Sequence, residues 1–166
     1  ISGINLGYNI GMDTLYSGTV SAAKDAVVHG SPAISLSSGI AHNGEDTLGV
    51  TSCHINYEQI SKFLDKHFDS LVQAAKTHPK NNRHLINVNF PGGEGKFAGI
   101  KRTIPSKETR YRDEIVTFKS PVGKEYVWIK GELCEHDDKQ LTTDIAVIRA
   151  GYVSVSAINV LPEDSG

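Results

Sequence analysis

Apolar and polar positions along this chain follow two periods, and the change from one to the other marks its elements. Between residues 56 and 76, Ile60, Phe63, Leu64, Phe68, Leu71, Val72 and Ala75 recur three and four apart. That is the spacing of a helix burying one face, and the stripe reads as core packing. Pro79 and Asn81-Asn82 stop it. Residues 20–28 form a second predicted helix, capped by Ser17 or Thr19 and ended by Gly30 and Pro32. Period-two patterning predicts strands at residues 33–37 and 84–90, the latter closed by Pro91-Gly92-Gly93. Ile1 to Asn5 reads as the edge of a strand completed by residues before it. A Gly- and Asn-rich loop follows from Leu6 to Asp13, and residues 38–53 also read as loop.

From Gly99 onward the pattern turns to strands and turns. Ile115 to Phe118 and Tyr126 to Ile129 flank Ser120-Pro121-Val122-Gly123-Lys124 as a hairpin with a longer loop. A polar stretch covers 135–140. Residues 143–151 fit helix or strand, and 152–158 alternate as a strand. Strand and helix alternate in the first half, which predicts an α/β sheet covered by helices over residues 1–98. Residues 99–166 are expected to form a β-rich extension and a return strand at the subunit interface.

Composition narrows the functional classes. The chain has 166 residues, 39% of them hydrophobic, with a net charge of −2. This suits a globular domain and gives no reason to expect a nucleic-acid polymer or an anionic membrane as partner. No apolar run reaches the ~18 residues of a membrane span, and no signal peptide is visible. The chain opens Ile-Ser-Gly without an initiator Met. Cys53 and Cys134 are too few for a disulfide framework. Reduced structural thiols in a cytoplasmic protein are the expectation.

Two places offer chemistry. Ser17, Gly18 and Thr19 sit at a predicted helix start, where free N–H groups and the helix dipole favour an anion such as phosphate. An ordinary capped helix accounts for the same three residues. Asn5 stands where a strand runs into a glycine-rich loop, the place where open α/β sheets gather ligands. Its amide oxygen suits Mg²⁺ or Mn²⁺, and a turn residue bonding its own backbone suits the pattern too. Cys134-Glu135-His136-Asp137-Asp138 has a ligand-rich look, yet its spacing matches no zinc pattern and a solvated turn accounts for it. Lys101, Arg102, Arg110 and Arg112, near Tyr111, read as a solvated strand face. An anionic substrate or a subunit contact is the other reading.

The order and spacing of these residues resemble the SurE (stationary-phase survival protein) family. Ser2-Gly3-Ile4-Asn5, Gly7, Asn9, Gly11, Asp13, Tyr16 to Val20, and Ala22-Ala23 carry the first block, continued by Gly30 and Pro32 to Ser35. Asn87-Val88-Asn89-Phe90-Pro91 resembles the second marker. Trp128-Ile129, Thr143-Asp144 and Gly151 to Val155 resemble the closing segments. The resemblance implies a Rossmann-like α/β fold with a hairpin-rich carboxy-terminal extension exchanged between subunits of a homodimer or homotetramer. It implies a metal-dependent 5'/3'-nucleotidase that takes nucleoside monophosphates and uses a divalent cation, Mg²⁺ or Mn²⁺. By the same resemblance Asn5 is a metal ligand, Ser17, Gly18 and Thr19 hold phosphate, and Gly7 and Asn9 line the site.

The chain departs from the pattern in places. Asp25-Ala26 stand where Glu-Gly is usual, and Leu141-Thr142 precede the Thr-Asp pair where a glycine is usual. The family's Asn-Asp-Asp-Gly motif, with its metal-binding aspartates, is absent, as is a further serine ligand. The expectation is a fragment lacking its amino-terminal part, or a chain whose missing ligands come from another polypeptide. A non-catalytic nucleotide- or phosphate-binding scaffold is the rival reading. An unrelated α/β hydrolase is disfavoured, because no Gly-x-Ser-x-Gly elbow occurs.

Overall fold

The computed structural model describes residues 1–45, 51–77, 84–109, 111–133 and 141–160. Its centre is a mixed sheet of five strands in the order β1-β2-β5-β9-β6. β1 (Ser2–Leu6), β2 (Ile34–Ser38) and β5 (His84–Phe90) run parallel. β9 (Val153–Asn159) is antiparallel to β5, and β6 (Ile100–Thr103) runs parallel to β9. The sheet therefore combines a parallel α/β half with a reversed pair contributed by the second half of the chain.

Helices cover both faces. α1 (Gly18–Val28) buries Val20, Ala23 and Val27 with Ala33 and Leu85, while α2 (Tyr57–Lys76) buries Ile60, Phe63, Leu71 and Ala75 with Ile86, Val88 and Phe90. Leu85 and Ile86 are neighbours on one strand, so the two helices take opposite faces. β2 and β5 are buried along their whole length, as a sheet covered on both sides requires. At each Ser and Asn of these strands that burial has to be matched by a hydrogen bond, which matters below.

Several elements match the sequence reading and others correct it. α2 begins one residue after its cap Asn56, whose side chain accepts from Gln59 N at 3.3 Å. Along its stripe Phe68 is the exception to core packing, because it stays 37% exposed. The stretch expected as loop at 38–53 contains β3 (Ala41–Glu45) and β4 (Thr51–His54), paired antiparallel. Ala41-His42-Asn43-Gly44-Glu45 has few strand formers, so pairing rather than propensity makes this strand. Residues 143–151 resolve as α3 (Asp144–Arg149), capped by Thr143.

β6, within the basic run, points Lys101 and Arg102 to opposite faces. Thr103, two residues from Lys101, bonds Ser154 and Ser156 on the α1 side, and Lys101 lies 4.9 Å over the Tyr152 ring. Lys101 and Arg102 thus do not share one basic face. β7 (Tyr111–Lys119) and β8 (Glu125–Leu133) form the expected hairpin, extended beyond its predicted ends, in a sheet of their own. Cys134 and the 135–140 stretch lie outside the described residues, as do Arg110 and the side chains of Cys53 and Arg112. No helix among the described residues is long and apolar enough to cross a membrane.

Candidate functional site

β1 leaves the sheet at Leu6, and the chain returns to it only through α1. The loop between is held at nearly every residue. Gly7 N donates to Ser38 O at 2.8 Å. Tyr8 accepts at its phenol oxygen from Gly92 N at 2.7 Å. Gly11 has φ +54°, and a Cβ there would collide with the carbonyl of Glu108. Glycine is needed at that turn on both counts.

Asn9 is the centre of the arrangement. It is buried, with its N–H donating to Asn89 Oδ1 at 2.9 Å and its side-chain amide donating to Ser37 Oγ at 2.7 Å. Its carbonyl accepts from Asn87 Nδ2 at 2.8 Å and from Asn89 Nδ2 at 3.0 Å. Ser35 Oγ completes the set by donating to Asn87 Oδ1 at 2.8 Å. Register explains the geometry: Ser35 pairs Asn87 and Ser37 pairs Asn89, so all four side chains share one face. Two asparagines at alternate positions of a fully buried strand were the signal for this network. The sequence reading used them as a family marker and assigned them no role.

The loop then forms a 3-10 helix (Gly11–Leu15), not anticipated from sequence, and enters α1. Ser17 caps α1 by accepting from Val20 N at 3.0 Å, which decides between Ser17 and Thr19 as cap. Ser21 N closes on Ser17 O at 2.9 Å. The amides of Gly18 and Thr19 and the hydroxyl of Thr19 make no hydrogen bond among the described residues. A Cβ at Gly18 would meet nothing within 4 Å. The arrangement offers an anion two N–H donors, hydroxyls on either side, and room to approach.

Asn5 lies at the end of β1, paired with Ser37. Its amide nitrogen donates to Gly7 O at 3.0 Å, so its oxygen Oδ1 is the atom left for a ligand; among the described residues it accepts no hydrogen bond. The bond to Gly7 O makes Asn5 the turn residue of one sequence reading. Gly7, Asn9 and Ser17 lie on the connection between β1 and α1, and Gly18 and Thr19 open α1. A hard divalent cation takes mostly carboxylate and carbonyl oxygens, six or more in all. No group of three or more His, Cys, Asp or Glu side chains able to hold one occurs among the described residues. One neutral oxygen is not a metal site, so the described residues do not hold a cation by themselves.

An open α/β sheet whose first strand feeds a pinned, glycine-rich loop and then a helix amino terminus sets the class: an α/β fold with a loop and a helix start at the carboxyl ends of its parallel strands. A family profile described as Survival protein SurE matches residues 1–112. The chain belongs to the SurE family. It is 38% identical over 159 residues to a Thermoanaerobacter protein named 5'-nucleotidase SurE, and 32% identical over 158 residues to a protein of the same name from Campylobacter lari. These alignments take in 96% and 95% of this chain but only 56% and 57% of the relatives, so the chain spans little more than half their length. The crystal structure of the SurE protein from Aquifex aeolicus superposes with a TM-score of 0.68 at 29% identity, over 98% of this chain and 59% of that one.

Proposed function

We propose that this chain carries the phosphate-holding part of a metal-dependent phosphomonoesterase, a 5'/3'-nucleotidase that releases phosphate from nucleoside monophosphates. The observation that carries the reading is the open amino terminus of α1 at Gly18 and Thr19. Their two amides, with the hydroxyls of Ser17 and Thr19, suit the oxygens of a phosphate monoester. Gly7 and Asn9 line the approach, and Asn5 Oδ1 serves as one ligand of Mg²⁺ or Mn²⁺. The reading assigns the remaining ligands, the attacking group and its base to a longer polypeptide of the length its relatives have, or to a second chain. The names of those relatives support the substrate class.

The same reading places part of the nucleotidase domain in residues 1–98 and, in 99–166, a β-rich extension at the subunit contact together with the return strand. Its support is the hairpin, where Ile115, Val127, Trp128 and Ile129 are each at least 64% exposed. A homodimer or homotetramer that exchanges this hairpin, in the cytoplasm, completes the proposal. A second reading is a phosphate- or nucleotide-binding scaffold without turnover, favoured by the lack of a carboxylate cluster among the described residues.

Phosphate release from several nucleoside monophosphates, with Mg²⁺ or Mn²⁺, separates the two. The 166-residue chain alone is expected to stay at background. A full-length form that includes the paired aspartates is expected to release phosphate and to stop when a chelator is added. Equal turnover by both forms contradicts the assignment of the metal site. Turnover by neither moves the scaffold reading ahead.

A further inference from the structure

Asp144 is fully buried, and its carboxylate is engaged on both oxygens. Oδ2 accepts from Gly11 N at 2.8 Å, and Oδ1 accepts from Ser106 N and Ile145 N, both at 2.9 Å. These three amides belong to three parts of the chain: the loop after β1, the segment after β6, and the start of α3. Further bonds run beside them. Met12 N donates to Glu108 O at 2.9 Å, and Thr109 Oγ1 donates to Asp13 Oδ1 at 2.5 Å. Thr14 Oγ1 returns to Gly11 O at 2.8 Å, so the turn at Gly11 is continuous with the 3-10 helix that leads into Ser17. Ile10 packs with Ile145 and Ile148 of α3 beneath the same turn. No other carboxylate of the described residues is fully buried.

A buried charge is costly unless it is bonded, and α3 needs no such group for its own capping, since Thr143 Oγ1 already accepts from Ala146 N. What the carboxylate adds is a fixed distance between the start of α3 and the loop after β1. We infer that Asp144 is a positioning residue of the phosphate site, holding the turn at Gly11 so that the chain enters α1 with Gly18 and Thr19 open to an anion. The inference rests on the proposed reading of those two residues. It also makes segment 104–109 a direct link between the site loop and the hairpin that begins at Tyr111.

The test uses inorganic phosphate as probe, with affinity from titration calorimetry and amide hydrogen exchange read residue by residue. Wild type, Asp144→Asn, Thr143→Ala and Gly18→Val are compared. Thr143→Ala removes the cap of α3 but leaves the Asp144 bonds, so it serves as a control for destabilisation alone. Asp144→Asn puts an NH₂ against one of the three backbone donors. It is expected to weaken phosphate by about tenfold or more, because donors displaced by a fraction of an ångström lose much of their effect. Exchange at Gly11 and Met12 is expected to quicken in step, while Thr143→Ala keeps wild-type affinity. Should Asp144→Asn fail to fold, Ser106→Pro deletes one donor to Oδ1 and is expected to shift affinity in the same direction by less.

Wild-type affinity in Asp144→Asn, or an equal loss in Thr143→Ala, overturns the positioning role and leaves the phosphate site standing. If wild type does not bind phosphate, or Gly18→Val binds as well as wild type, the site itself is wrong and the inference falls with it.

Discussion

At Asn89 a single amide makes two bonds to one backbone residue: Oδ1 accepts from Asn9 N and Nδ2 donates to Asn9 O. Removing it strands a buried N–H, so Asn89→Ala is expected to cost about 1–3 kcal/mol in denaturant unfolding. Exchange at Asn9 should rise more than exchange in α2. A loss confined to global stability, with the loop unchanged, contradicts the anchoring role. Asp144 adds a pH dependence. Burial pushes its carboxyl above the ordinary range, against the pull of its bonds from Gly11, Ser106 and Ile145. A raised pKa means the folded state holds the proton more tightly than the unfolded chain. The corresponding stability is complete below the unfolded value of about 3.9 and is lost as pH rises through the folded value. The stability advantage of wild type over Asp144→Asn, measured by denaturation, should therefore widen as pH falls from 7 toward 4. A constant or narrowing difference contradicts the sign. None of these anchoring roles was legible in the sequence, because each depends on strand register. Asn87 and Asn89 bond Asn9 only because β5 lies beside β2 with those residues facing the loop.

At the scale of elements, α2, β5 and β9 were legible within a residue or two, because their periodicity is strong and their ends carry Asn, Pro or Gly signals. β3 and β4 were not, since short strands of mixed composition exist through their partners. For α1 the sequence left Ser17 and Thr19 as rival caps and left capping and anion binding as rival uses. The geometry allows both uses of Ser17: its oxygen accepts from Val20 N, and a hydroxyl that accepts can still donate its proton to an anion. Two substitutions separate them. Ser17→Ala should cost about 1 kcal/mol of stability and weaken phosphate. Ser17→Asp keeps a good cap and a favourable charge at the helix start, so stability should hold. It places an anion where phosphate would sit, so phosphate binding should disappear. If Ser17→Asp binds phosphate normally, Ser17 is a cap and nothing more.

Taken whole, the molecule has a well-filled sheet and one element that buries almost nothing. On the hairpin, Ile115 is 71% exposed, Val127 and Ile129 66%, and Trp128 64%. Opposed pairs Ile115–Ile129 and Val116–Trp128 project to opposite faces, so both sides of the ribbon are apolar. An isolated two-stranded ribbon is marginal in water, and contiguous apolar surface of this kind marks an interface. Light scattering at micromolar concentration should give a mass of at least twice 18.0 kDa. Trp128→Lys combined with Ile115→Lys should return it toward the monomer, and a monomeric wild type contradicts the subunit-contact reading. The sequence showed this hairpin and its apolar strands. That its apolar strands stay exposed among the described residues became visible only in the fold.

The central claim is that the amino terminus of α1 holds a phosphate, and amide chemical shifts report on it directly. In a titration with inorganic phosphate, the largest and saturable shifts should fall on Gly18 and Thr19, with smaller ones on Gly7 and Asn9. The same titration of Ser17→Asp should leave them still. Shifts that centre elsewhere, that fail to saturate, or that persist in Ser17→Asp contradict the account.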